Sequence, residues 1–247
     1  MTRQGQIGFS QRIRLEWLER TASLILAGNE SKAIQNALQA LLSEKLSIGG
    51  EAIRGNREKA ITILMKTWLI VPGGVEPFRD EALGLLKRLP ENQHLAIHWG
   101  MTMAVYPFFG QTAEQIGRLL RLQGDFTATH LQRRVREKYG ERETVYRAAR
   151  RTLRSMVDWG VLLDAGEKGH YQPGNVCSVK DRVVAVWLVE AVLRSSGDAS
   201  ANLRSLCDSP CLYPVRLPAI TRHDLQGHPR LDCQRQGLDQ DGVRMRG

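Results

Sequence analysis

The chain has 247 residues, of which 42% are hydrophobic and 25% are charged, so it can bury a core and is not disordered overall. Aromatic residues make up only 6%, which favours helices built from leucine, alanine and isoleucine over a β-sandwich or barrel. Lysine and arginine number 35 against 26 aspartates and glutamates, and the resulting net charge of +9 favours polyanionic partners.

Targeting and membrane segments are not predicted. Residues 1–9 are polar and lack the apolar region of a secretory signal. Two apolar stretches, 61–75 and 95–110, are each interrupted by a proline and a basic side chain, and both are shorter than the roughly 20 apolar residues of a spanning helix. All four cysteines lie in the last third of the chain. We therefore expect a cytoplasmic protein with reduced cysteines and no membrane partner.

The first hundred residues repeat one pattern, in which apolar side chains recur at helical spacing and glycine or proline separates the segments. Five such segments are present. Ser10 and Asn56 are typical of helix N-caps, and Pro77 is typical of a first helical turn. The sequence predicts an N-terminal helical module.

The order of elements changes over residues 111–175, where three helices are followed by two short extended runs around a turn. Thr112 and Thr127 are typical N-caps of the first two helices, and Gly124 is typical of the end of the first. The third helix, 141–159, is the longest, and the glycine-containing turn is 166–169. This order is typical of a winged helix-turn-helix.

The predicted fold class is therefore mainly α, with an N-terminal helical bundle followed by a winged helix-turn-helix with a short β-hairpin wing. The predicted divisions are a helical module over 1–110, a winged-helix domain over 111–175, a C-terminal helix over 176–195 and an irregular tail over 196–247. The tail is rich in serine, aspartate, proline, glycine and arginine, so we expect loops or weak order, with short strands at 212–217 and 230–234.

Arginines concentrate on one face of helix 141–159. On a helical wheel of about 100° per residue, four of them lie opposite an apolar stripe centred on Val145. Nine basic residues oppose three glutamates between 133 and 154, a local charge of 9 − 3 = +6. An α-helix fits the major groove of DNA, and arginine contacts guanine or phosphate with two parallel hydrogen bonds.

The sequence predicts a non-catalytic protein that binds double-stranded DNA. The side chains expected to contact DNA directly are those of Thr144, Arg147, Arg150, Arg151 and Arg154. The expected phosphate contacts are those of Arg133, Arg134 and Lys168.

Three other interpretations stay open. A run of charge is often only a solvated helix face. Winged helices also serve as protein-interaction scaffolds within larger complexes. A second basic cluster, Arg54, Arg57 and Lys59, allows RNA binding by the helical bundle, although an ordinary helix surface explains it more simply. No nucleophilic triad or paired carboxylates stand out, so no enzyme is predicted.

Two metal-ligand patterns are incomplete. His94 and His98 lie four residues apart on a helix, but the glutamate of the metalloprotease pattern is absent and no third ligand follows. Prolines break the hairpin expected for the other pattern, which has nearly zinc-finger spacing and consists of Cys207, Cys211, His223 and His228. We predict no metal and no cofactor, and zinc in the tail stays an alternative.

Three segments of the chain resemble the BrxA-like small proteins of BREX-type phage-defence systems. They are RGNREKAITILMKTWL (54–69), LAIHWGMTMAVYPFFGQTAEQIGRLL (95–120) and TVYRAARRTLRSMVDWGVL (144–162). The resemblance concerns the order and character of the elements over about residues 10–195 and leaves the tail unmatched. It implies a helical, non-enzymatic DNA-binding protein with winged-helix character that acts in antiphage defence beside a methyltransferase and an ATPase.

Overall fold

The computed structural model describes residues 7–46, 55–235 and 240–246, which are mainly helical and include three small sheets. The helices are α1 (Leu15–Leu26), α2 (Ser31–Leu42), α3 (Asn56–Trp68), α4 (Glu76–Arg88), α5 (Glu91–Val105), α6 (Pro107–Gln123), α7 (Ala128–Tyr139), α8 (Glu143–Asp158), α9 (Arg182–Ser196) and α10 (Leu203–Cys207). The strands are β1 (Phe126–Thr127), β2 (Leu162–Asp164), β3 (His170–Pro173), β4 (Cys177–Ser178), β5 (Ser200–Asn202), β6 (Val215–Arg216), β7 (Leu231–Arg235) and β8 (Asp241–Met245).

The N-terminal module is helical, as predicted, with α1 to α5 at the five periodic segments. Two predicted N-caps are wrong. The N-cap of α1 is Arg14 and not Ser10. Asn56 is the first residue of α3, and its side-chain oxygen accepts a hydrogen bond from Gln11 Nε2 at 2.7 Å. Both polar residues serve contacts with distant segments, which a local capping pattern does not register.

The predicted start of the sixth helix is also wrong. α6 begins at Pro107, whose fixed φ suits the first helical turn. Thr112 lies buried inside the helix, where its hydroxyl donates to the Phe108 carbonyl at 2.8 Å. The predicted boundary between residues 110 and 111 therefore falls within a continuous helix.

The other local end signals of this region are confirmed. Gly124 ends α6 with a φ of +80°, a left-handed conformation that costs glycine little. The Thr127 hydroxyl caps α7 by accepting from the His130 N–H at 3.2 Å. The predicted hairpin is present as β2 and β3, which pair antiparallel. β1 pairs with the other edge of β3, so the sheet order is β1-β3-β2. β1 has only two residues, so it is too short to show the alternation of apolar and polar side chains that predicts a strand.

Helix α9 lies at the centre of the molecule and packs along α5. Asp181 caps it by accepting from the N–H groups of Val183 and Val184. The two helices approach closely because Gly100 has no side chain; a Cβ there would lie 2.3 Å from the Trp187 ring. Among the helices in the described part of the chain, none has the length and apolarity to cross a membrane.

The prediction of an irregular tail is wrong for the described residues beyond Ser196. Strands β5, β8 and β7 form an antiparallel sheet in that order, and β6 pairs with β4 in parallel. The predicted strand at 230–234 is β7, and the segment 212–217 contains β6. The buried apolar side chains of this region join the same core as those of the helices; they include Leu203, Leu206, Leu212, Leu225, Leu231 and Val243.

Candidate nucleic-acid interface

Helix α8 is amphipathic, as its periodicity predicts. Seven of its residues are buried and form the face that packs on the core: Val145, Ala148, Ala149, Thr152, Leu153, Ser155 and Met156. Thr144, Arg147 and Arg150 are exposed, whereas Arg151 and Arg154 are half-buried. The basic face is therefore open toward the N-terminal end of α8 and partly covered toward its C-terminal end.

Two of the four arginines form ion pairs at the surface. Arg147 Nε lies 2.7 Å from a carboxylate oxygen of Glu143, one turn earlier on α8. Arg154 Nη1 lies 3.3 Å from Asp164 at the end of β2. Exposed pairs of this kind contribute only about 0–1 kcal/mol, so a phosphate can replace the carboxylate at little cost.

The expectation that all four arginines are free on one face is wrong for Arg151. Its guanidinium donates a hydrogen bond to the backbone carbonyl of Ser10, 141 positions earlier in the sequence. Burial lowers the pKa of Arg151, and the charge of Arg147 lowers it further. Arg151 therefore holds the N-terminal segment against α8, and its contacts are structural.

The segment that Arg151 holds is residues 9–13, here called the N-terminal strap. The Ile13 N–H donates to Ser155 Oγ at 2.9 Å, and the Ile13 carbonyl accepts from Trp159 Nε1 at 2.9 Å. Arg12 forms an ion pair with Asp158 at the end of α8. The strap covers one side of the C-terminal half of α8, and no local sequence pattern indicated it.

Arg150 differs from the other three arginines. Within residues 7–46, 55–235 and 240–246, its guanidinium has no carboxylate or carbonyl partner. Tyr146, one turn earlier, is 37% exposed, although most large apolar side chains of the chain are buried. Tyr146 was not among the predicted contacts, and its position at the edge of the apolar stripe was the available signal.

Helix α7 adds charge beside α8. Arg133 is exposed and lies 4.0 Å from Glu137, while Arg134 is half-buried. The other two glutamates of this region also pair with arginines, Glu141 with Arg136 and Glu143 with Arg147. The excess of six positive charges over residues 133–154 therefore corresponds to the six basic side chains that have no glutamate partner.

The turn between β2 and β3 presents the side chain of Lys168, the predicted phosphate contact, in an exposed position. Asp164 and Glu167 accompany it, so residues 162–169 carry 1 − 2 = −1. Lys168 is the single cation in this turn, and the acidic neighbours make the turn a weaker site for phosphate than α8.

The second basic cluster has a structural contact. Arg57 donates to the carbonyls of Ser43 at 2.6 Å and Leu46 at 3.1 Å, beyond the C-terminal end of α2. Lys59 is half-buried, and Arg54 lies outside the described residues. The guanidinium of Arg57 is thus hydrogen-bonded to backbone carbonyls, which weakens the RNA-binding interpretation.

The two histidines at helical spacing join α5 to α1. His94 Nδ1 and His98 Nε2 contact the same carboxylate oxygen of Glu19, at 2.9 Å and 2.8 Å. The hydrogen bond from His98 lowers the pKa of Glu19 to about 2, and burial lowers the pKa of His98. A neutral His98 that donates from Nε2 to an ionised Glu19 fits both shifts.

The two cysteines of the zinc-like pattern are free thiols; Cys211 is buried and Cys207 is half-buried. Burial raises the pKa of Cys211 to about 12 and that of Cys207 to about 11. Cys211 Sγ lies 3.1 Å from Ser209 Oγ. In the described part of the chain, no three or more His, Cys, Asp or Glu side chains are grouped to hold a metal ion.

Comparisons with protein-family models, curated proteins and solved structures give no match to this chain. The case for a ligand at α7 and α8 therefore rests on the charge and the contacts of these two helices. That surface combines a locally concentrated positive charge, exposed guanidinium groups and a helix rigidly packed on its apolar side. These properties suit a polyanion with a groove as wide as a helix.

Proposed function

We propose that this chain is a non-catalytic protein that binds double-stranded DNA, with α8 as its recognition helix. Residues 107–173 are assigned to a winged helix-turn-helix. The chain order α6-β1-α7-α8-β2-β3 supports this assignment, as does the pairing of β1 with the second strand of the hairpin. In that arrangement α7 lies against the DNA backbone and α8 enters the major groove.

The observation that carries the proposal is the six-charge excess over residues 133–154, together with the exposure of Arg147 and Arg150 on α8. An α-helix with side chains is about 10–12 Å across, which matches a major groove about 12 Å wide. The partners of Arg147 and Arg154 are exposed carboxylates, so these arginines can exchange them for phosphates. Arg133 and Arg134 extend the charge toward the backbone side.

The biological setting is proposed from the resemblance to BrxA-like proteins. It is that of an accessory component of a BREX-like antiphage defence system in the cytoplasm, beside a methyltransferase and an ATPase. The four unpaired cysteines support a reducing compartment.

The proposal is tested by the salt dependence of binding to a generic DNA duplex. We expect log Kd against log salt to have a steep slope, because each neutralised phosphate contributes about 0.9 units. The double variant Arg147→Ala/Arg154→Ala should make the slope shallower by about 1–2 units. The matched control is Lys32→Ala/Arg204→Ala, which removes the same charge from exposed positions on α2 and α10 and should leave the slope as in the unmodified protein.

Three outcomes contradict the proposal. An equal slope for both double variants means that net charge alone drives binding and that α8 has no special part. Absence of binding to any duplex favours the scaffold alternative. Displacement of the duplex by equimolar single-stranded RNA favours the RNA-binding alternative.

A further inference from the structure

The N-terminal strap narrows the part of α8 that a DNA groove can reach. With Val145 at 0° on a wheel of about 100° per residue, the strap contacts Asp158, Arg151 and Ser155 lie between about 220° and 280°. The buried stripe continues from there to about 80°. From Arg150 to the C-terminal end of α8, the open arc therefore runs from about 100° to about 200°.

Arg150 lies near the middle of this open arc, at about 140°. A helix in the major groove turns the middle of its exposed face toward the base edges and its flanks toward the phosphates. Arg147 and Arg154 lie at about 200° and 180°, closer to the flank that carries the strap.

The guanidinium of Arg150 is also available to a ligand. The carboxylate of Glu143, two turns earlier on the same side of α8, is paired with Arg147. Arg150 is free of partners within the described ranges, so its planar fork of donors reaches a ligand without breaking an ion pair.

We propose that Arg150 reads guanine in the major groove, donating from its guanidinium to O6 and N7, and so gives this protein a preference for a G·C pair at one position of its site. Arg147 and Arg154 are assigned to phosphates. This inference rests on the proposed DNA-binding function and goes beyond it, because binding through phosphates alone carries no sequence preference.

The test is selection of bound duplexes from a randomised pool by the full chain. We expect the unmodified protein to enrich sites with guanine at one position. Arg150→Lys keeps the charge but loses the two-pronged geometry, so it should reduce that preference by about 5- to 100-fold while the salt slope stays the same. The matched control is Arg204→Lys, at an exposed arginine on α10, which should keep the preference.

A second probe isolates the contact atom. Replacing the selected guanine by 7-deazaguanine removes the N7 acceptor, and this should weaken binding by the unmodified protein but not by Arg150→Ala, which has no donor at this position. Enrichment of no guanine position, with a steep salt slope retained, overturns the guanine assignment and leaves the DNA-binding proposal standing. A preference that Arg150→Ala keeps in full also overturns it. No binding to any duplex removes both proposals.

Discussion

At the scale of single residues, neighbouring side chains of one type have different roles because their surroundings differ. Arg150 and Arg151 are adjacent, yet Arg150 faces solvent and Arg151 donates to the Ser10 carbonyl. Another arginine, Arg230, is mostly buried and pairs with Glu190, whose carboxylate is 0% exposed. Ionised side chains are buried at this depth only with charged partners.

Glu190 provides a residue-scale prediction. It accepts from Arg230 Nε at 2.9 Å and from Arg194 Nε at 2.8 Å, and both guanidinium groups lie over the Phe78 ring. Glu190→Gln removes the charge that both arginines need, and we expect the free energy of unfolding to fall by about 3–5 kcal/mol. Urea denaturation measures the change.

The control for this prediction is Glu16→Gln, which breaks an exposed pair with Lys45. Its cost should be less than about 1 kcal/mol because solvent screens surface pairs. Equal losses for the two variants would mean that the buried cluster around Glu190 gives no special stability.

At the scale of elements, the strap and α8 form one unit that is discontinuous in sequence. The backbone of Ile13 bonds to Ser155 and Trp159, and Arg12 pairs with Asp158. These contacts fix the rotation of α8 about its axis, since they hold one side of the helix. The rotation decides which arginines face outward, so the strap helps to shape the proposed DNA surface.

The element-scale prediction concerns Arg151→Ala. Loss of the charged hydrogen bond to Ser10 should destabilise the protein by about 1.5–3 kcal/mol and speed proteolysis within the strap. The salt slope of DNA binding should not change, because the guanidinium of Arg151 is held by the strap and lies off the proposed DNA-contacting face. Limited proteolysis and duplex titration test the two halves, and a slope shallower by about 1 unit would return Arg151 to the interface.

At the scale of the whole molecule, one apolar core includes side chains from Phe9 to Val243. The region after Ser196 closes this core, and close approach of backbones makes the fit tight. A Cβ at Gly117 of α6 would lie 1.9 Å from the carbonyl oxygen of Pro210. Trp99 Nε1, in α5, donates to the Cys211 carbonyl at 3.0 Å.

The whole-molecule prediction is that a chain ending at Gly197 does not fold cooperatively. Removing the later residues exposes the apolar faces of α6 and α9 that they cover. Calorimetry should show no sharp thermal transition for the truncated chain. The point variants Leu206→Ala and Leu231→Ala provide a test within the full chain, and each should cost about 2–5 kcal/mol. A truncated chain that melts at the temperature of the full chain would contradict this prediction.

Features that depend on local chemistry could be predicted from the residues alone. Gly124 and Thr127 end and begin helices because a left-handed glycine and a hydroxyl cap act within a few residues. The apolar stripe of α8 follows from helical periodicity, and the hairpin follows from its turn.

Two features depend on packing between distant segments. One is which basic side chains have no partner, and the other is the regular structure of the region beyond Ser196. The partner of Arg151 lies 141 positions away, and the covered face of α6 meets Pro210 from the far end of the chain. Contacts between distant segments depend on how whole elements pack, and they leave no periodic pattern in the residues on either side. The tertiary contacts therefore leave Arg150 exposed and without a partner among the described residues, whereas helical periodicity alone does not distinguish it from the other arginines of α8.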